Sequence, residues 1–351
     1  MNNTLIAFIV ASWLLSSCQT KVPENTTTQV IAEGAMPSVT ISDQVIHVVY
    51  GKDDSILYVS SKNQGQSFSN PILVGHLFKL AASHTRGPQI AMSDDGLIVT
   101  ACTTVGDIYA YNKPDDGSWS APVKVNDVDT IAKENLMALS ADGKNAFAVW
   151  LDLRGNKKNK IYGSKSIDGG KTWSNNSMVY TSPDTTVCEC CKPSVLVKNE
   201  NVYVMFRNWI DGNRDMHLIQ SIDAGNNFGE ATKLGNESWK LDGCPMDGGG
   251  ITLSETGVVQ TVWRRQAKLY TAEPGQPEKE IGEGKGATIA SVNGKNVYAW
   301  SEKGNIVCLL PNGEKKDLGK GSLPIIKMIN DNTAICIWDN KTTIHSSIID
   351  L

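Results

Sequence analysis

The sequence predicts an all-β protein, a β-propeller of four-stranded blades, and three observations carry the prediction. One strand–turn–strand unit recurs down the chain. Its turns are of the Asp-Gly, Asn-Gly or Asn-Asp kind that tight hairpins require. No segment keeps a sustained helical period.

In chain order the units are "PSVTISDQVIHVVY" from Pro37, "PQIAMSDDGLIVTA" from Pro88, "NLMALSADGKNAFAVW" from Asn135 and "PSVLVKNENVYVMF" from Pro193. "GGITLSETGVVQTVW" from Gly249, "ATIASVNGKNVYAW" from Ala287 and "PIIKMINDNTAICIW" from Pro324 complete the set. Their starts lie 37 to 58 residues apart, near the ~40–50 residues of propeller repeats. A unit of this size cannot bury its apolar faces alone, so neighbouring units must stack. The last unit, Pro324 to Leu351, has room for only three strands. "TQVIAEG", Thr28 to Gly34, is an unassigned strand ahead of the first unit. It is expected to supply the outer strand of the last blade and close the ring. The count is then seven blades, with six as the alternative if the weak last units merge.

The domain is expected to span 28–351. Ahead of it, "LIAFIVASWLL" from Leu5 to Leu15 is short of the ~20 residues that span a bilayer and suits a signal-peptide core. Leu15-Ser16-Ser17-Cys18 follows and resembles a bacterial lipobox. That resemblance implies a signal peptide over 1–17, a lipid on Cys18, a polar tether over 18–27 and an exported, membrane-anchored protein. The membrane is then a partner through the lipid only. The rest of the composition is that of a soluble domain, 40% apolar and 20% charged with a net charge of −4. No basic excess points to nucleic acid.

Three turns share a further pattern: "SKNQGQSF" from Ser61, "SIDGGKTW" from Ser166 and "SIDAGNNF" from Ser221. In each, a short acid or amide can accept backbone N–H groups, Gly can take positive φ, and an aromatic can pack between strands. "PDDGSW" from Pro114 is a degenerate copy. The pattern resembles the Asp-box, or BNR repeat, of the sialidase-like β-propellers. In that family these boxes lie away from the catalytic face, and six blades are usual.

In a propeller, the loop entering the innermost strand and the loop leaving the second strand share one face around the channel. The opposite-face turns here are bland. The channel-face loops hold "SHTRGP", "CECCKP", "DGCPMDGG", "WLDLRGNKK", "FRNWIDGNRD" and "WRRQ". All six arginines of the chain fall in them: Arg86, Arg154, Arg207, Arg214, Arg264 and Arg265. Arginine offers a planar fork that matches carboxylate or phosphate. Two readings stay open: a clamp for an anionic ligand, with Asp215 and Asp247 in the same loops, or an ion-pair network such as Asp152–Arg154 and Arg214–Asp215. "TRGPQIA" resembles a weak form of the sialidase Arg-x-Pro signature. "WLDLRGNKKNKIYGSKSIDGGKTW" resembles the family segment from Asp-x-Arg to the first strong Asp-box. By that resemblance Arg86 and Arg154 would grip a substrate carboxylate, Asp152 would match an active-site acid, and Arg207, Arg214 or Arg264 would complete a triad. The tyrosine–glutamate nucleophile pair of such enzymes has no clear counterpart, since Tyr203 and Tyr270 read as strand aromatics.

"TVCECCKPSV", Thr186 to Val195, brings three cysteines into the same face, and Cys244 opens the next blade. Cys188, Cys190, Cys191 and Cys244 are expected to meet there. A disulfide to Cys244 pinning adjacent blades is one reading. A soft-metal site for copper or zinc is the other, with Met246 adding a thioether and His84 or His217 within reach. Cys102, Cys308 and Cys336 sit in apolar strands and are expected to be buried thiols. The function expected first is binding or hydrolysis of an acidic glycan or a similar small anion. A copper-type metal protein and a non-catalytic scaffold for a protein partner are the alternatives, because fold does not choose among them.

Overall fold

The computed structural model describes residues 28–351 apart from Asp116 and Thr185. The signal-peptide, lipidation and tether expectations, Cys18 among them, lie outside the described residues. The described chain forms seven four-stranded antiparallel sheets, so the fold is a seven-bladed β-propeller and the six-blade alternative falls away. The innermost strands are Ala35–Ser42, Gln89–Ser93, Met137–Asp142, Ser194–Lys198, Gly249–Leu253, Lys285–Val292 and Ser322–Asn330. Each contacts the next, and the last contacts the first, so they line a central channel.

Period-two alternation builds the core. Within the strand Val45–Lys52, Val48 packs into the interface with blade seven, and Val49 into the interface with blade two. The same device fills every gap between blades, giving seven hydrophobic clusters, one per interface. Trp150, Trp300 and Trp338, each near the end of a second strand, are fully buried in three of them. Packing there is close enough to require glycine. A Cβ on Gly321 would lie 2.1 Å from Trp338 Cδ1, which no side-chain rotation of a buried indole relieves.

The three Ser-x-Asp/Asn turns share one hydrogen-bond scheme between the third and fourth strands. Ser166 Oγ donates to Asp168 Oδ1 (2.8 Å) and accepts from Gly170 N (2.9 Å), while Asp168 Oδ1 accepts from Thr172 N (2.9 Å). Ser221, Asp223, Gly225 and Asn227 repeat it, as do Ser61, Asn63, Gly65 and Ser67. Phe68, Trp173 and Phe228 each pack against an interface cluster.

Gln29–Glu33 pairs antiparallel with Thr343–Asp350, with Gln29 opposite Ser346 and Glu33 opposite Thr343. This strand is the outer member of blade seven, whose other three strands come from the C-terminus. Its removal leaves Thr343–Asp350 as an unpaired edge and uncovers part of the first interface. A chain beginning after Gly34 is therefore expected to melt well below the full domain and to aggregate. Equal melting curves for the two would show that the ring does not depend on this strand.

Candidate functional site at the channel mouth

Strand register fixes which loops share a face. Met137 pairs with Trp150, Ser194 with Met205 and Gly249 with Trp263. The start of each inner strand thus lies beside the end of the second strand of its own blade. The Cys188–Lys192 turn, the Asp247 loop and the residues after Trp150, Phe206 and Trp263 all gather on this face.

Here the arginines bind the protein itself. Arg154 donates through Nε and Nη2 to the two oxygens of Asp152, both at 2.9 Å, reaches Asp127 at 3.1 Å and lies over the Tyr162 ring. Asp152 is fully buried and also accepts from Trp150 Nε1 at 2.9 Å. Arg207, likewise buried, donates to three carbonyls: Asp247 O, Arg214 O and Arg264 O. Arg214 meets Cys188 Sγ at 3.1 Å, Glu189 Oε2 at 3.2 Å and Leu241 O at 3.4 Å. Arg264 pairs with Asp247 (3.3 Å) and donates to Pro245 O. Arg265 pairs with Glu278 at 2.6 Å. Asp215 accepts from Trp239 N (2.8 Å) rather than pairing with Arg214.

This corrects the expectation of a free arginine clamp. Loops crossing a channel mouth carry many orphan carbonyls, and a buried guanidinium satisfies several at once. Asp152 is corrected too. A fully buried carboxylate committed to two arginine nitrogens and an indole N–H has no path to a glycosidic oxygen. Tyr203 and Tyr270 both pack within strands beside the cluster between blades four and five.

Arg86 differs. It donates to Glu134 O (2.7 Å) and His84 O (3.0 Å), both neutral acceptors. It lines a cavity of about 740 Å³ with Lys52, Ser83 and Asn135. Next to it, the channel mouth forms a second cavity of about 260 Å³. The chain steps from one to the other at Ala35–Met36 and again at Thr85–Arg86. Into the channel mouth point two lysines the sequence did not single out, and Asp247, which it did. Lys192 donates to Gln89 Oε1 at 2.7 Å and has no ion pair among the described residues. Burial brings its amine down to about 8. Lys327, on the inner strand of blade seven, faces the lumen and is also lowered by burial. Asp247 lies at the rim and accepts from Gly286 N at 3.1 Å. Burial raises its carboxyl pKa, against the pull of Arg264 and Arg207. Lys192 was hidden by its abundance as a residue type, although its place just before an inner strand marks it as a rim residue.

The cysteines divide three and one. Cys188 Sγ is 3.4 Å from Cys191 Sγ and 3.7 Å from Cys190 Sγ. The three sulfurs lie within 4.8 Å of one another. The Cys190 and Cys191 thiols, and then Arg214, favour the thiolate at Cys188; Cys188 in turn holds Cys190 protonated, and burial, then Cys188, does so for Cys191. Cys244 is exposed and outside this group, and no disulfide joins any described cysteine. The expected four-cysteine cluster is corrected on this point. The Cys188–Cys191 turn is pinned inward by Cys188 N donating to Arg207 O (3.0 Å), whereas the loop bearing Cys244 turns it to solvent. Met246 is half-exposed on that loop. His217 stacks on Phe206 within its blade. Cys102, Cys308 and Cys336 are buried thiols in the strand cores.

No family model matches the chain, and no curated protein matches it. Solved structures do resemble it in fold. The polysaccharide lyase Uly1 aligns with a TM-score of 0.58 at 11% identity, over 92% of this chain and 91% of that one. A catalytically inactive virginiamycin B lyase from Staphylococcus aureus, solved with quinupristin, aligns at 0.55 and 13%, over 92% and 99%. The α-L-arabinanase of Penicillium chrysogenum, complexed with arabinobiose, aligns at 0.54 and 11%, over 92% and 97%. At these identities the likeness is one of fold.

Asp152→Asn tests the structural role of that pair. Breaking a fully buried pair costs about 3–5 kcal/mol. Arg154 keeps Asp127 and is one-fifth exposed, so a loss of about 2–3 kcal/mol is expected, or roughly 4 °C in Tm for a domain of this size. An unchanged Tm in calorimetry would remove the structural assignment.

Proposed function

We propose that the protein binds a carbohydrate carrying an anionic group, held across the two adjoining cavities of the channel-mouth face. The observation that carries this is Lys192, a cation at the channel mouth with no carboxylate partner among the described residues, next to the cavity lined by Arg86. The channel-mouth cavity is smaller than the ~300–1,000 Å³ of a drug-sized site, so it suits one ring or one acidic substituent. The larger cavity suits the rest of an oligosaccharide. Similarity in fold to an arabinanase complexed with arabinobiose and to a polysaccharide lyase supports a glycan as the ligand class. The reading is of binding. Asp152, the acid the sequence offered for hydrolysis, is engaged by Arg154.

Calorimetric titration with uronic- and sialic-acid oligosaccharides, beside neutral counterparts, tests it. Lys192→Gln and Arg86→Gln are each expected to weaken binding of the acidic ligand about tenfold or more, in line with loss of a charge-assisted hydrogen bond. Equal affinity for neutral and acidic ligands would remove the anionic part of the reading. No binding to any of them would remove the glycan. Export with a lipid on Cys18 belongs to the same proposal and would place the face outside the membrane. Cys18→Ser is then expected to move the protein from the membrane fraction to the soluble one, and an unchanged distribution would overturn the anchor.

A further inference from the structure

The carbohydrate proposal makes no use of the sulfur cluster, whose geometry is specific. A d¹⁰ ion held in a plane by three thiolates at about 2.3 Å, the length of a zinc–thiolate bond, spaces its sulfurs about 4 Å apart. The observed 3.4 and 3.7 Å fall a little short of that value, and all three sulfurs lie within 4.8 Å of one another. A disulfide needs about 2.05 Å, so even the nearest pair would have to close by more than 1 Å.

We propose that Cys188, Cys190 and Cys191 form a three-thiolate site for Cu(I). Thiolate is the soft ligand this ion selects. Zinc sites of the structural kind take four ligands, and among the described residues no His, Asp or Glu joins the three sulfurs. Three thiolates and one Cu(I) leave a charge of −2 beside Arg214, which also pairs with Glu189 at 3.2 Å. Arg214 Nη1 lies 3.1 Å from Cys188 Sγ, and Arg207 N–H groups hold the carbonyls of the flanking loops. The turn is pre-set, since Cys188 N donates to Arg207 O at 3.0 Å. Cys188 and Cys191 are buried, whereas Cys190 is partly exposed, so the ion reaches the site past Cys190. Binding is ligand exchange: the Cys190 and Cys191 S–H protons pass to solvent, three Cu–S bonds form as the ligands that delivered the ion leave, and copper stays Cu(I).

The test is an anaerobic titration of the reduced protein with Cu(I) against a chromophoric Cu(I) chelator. One ion per chain is expected, with thiolate-to-copper absorption in the ultraviolet and three sulfurs near 2.3 Å by X-ray absorption. Cys190→Ser alters the least buried ligand, and its fold is checked by its melting curve. It is expected to lower Cu(I) affinity about 100-fold, while Cys244→Ser leaves it unchanged. The assignment is overturned if the chelator retains all the copper, if Zn(II) is held more tightly than Cu(I), or if Cys190→Ser has no effect. Loss of affinity in Cys244→Ser would overturn the three-sulfur ligand set, and a persistent Cys188–Cys191 disulfide under the same reducing conditions would overturn the site. None of these readouts depends on carbohydrate, so the two proposals stand or fall separately.

Discussion

Every part of this molecule depends on the packing of one blade against the next. A four-stranded sheet with two apolar faces is insoluble alone, and burying both requires a neighbour on each side. The seven interface clusters meet that demand, and the ring is the arrangement in which no blade lacks a partner. Val48 and Val49 serve different interfaces from adjacent positions, so a one-residue slip would empty both. The pairing of Gln29–Glu33 with Thr343–Asp350 completes the last sheet from the far end of the chain.

A rigid ring leaves its chemistry to the loops, and the channel-face loops carry unpaired backbone groups that need partners. Arginine meets much of that need. Arg207 joins three carbonyls from residues 40, 7 and 57 positions away, and Arg154 ties the end of one strand to Asp127 and Asn176 of outer segments. The guanidinium groups thus set loop positions and, through Arg214, the electrostatics around Cys188. Lysine has the complementary role. Lys192 and Lys327 point into the channel, where one terminal charge on a flexible stem can meet a ligand without bracing the backbone.

One face therefore carries the two proposed sites. Beside the channel, oxygen and nitrogen groups surround shaped cavities. A few residues away lie three sulfurs, two of them on buried residues. Lys192 directly follows Cys191 in the chain, and Arg207 braces the turn that carries the sulfurs. The two proposed sites share scaffolding.

Much of this was legible in the sequence because it is local. Blade number and the Ser-x-Asp turns follow from a period of two and from residues a few positions apart, which the backbone itself enforces. The partition of loops between two faces follows from the up-and-down order of antiparallel strands, and so the arginines and the Cys188–Cys191 turn could be assigned to one face. What each side chain does there was decided by the tertiary structure. Whether Arg264 is free depends on Asp247, seventeen residues back on a different loop, and whether Cys244 joins the sulfurs depends on the course of a loop with no repeat to guide it. Lys192 stands out from twenty-seven lysines only once seven inner strands surround it. Ion pairing and desolvation are set by distances through space, and a pattern along the chain specifies those only between near neighbours.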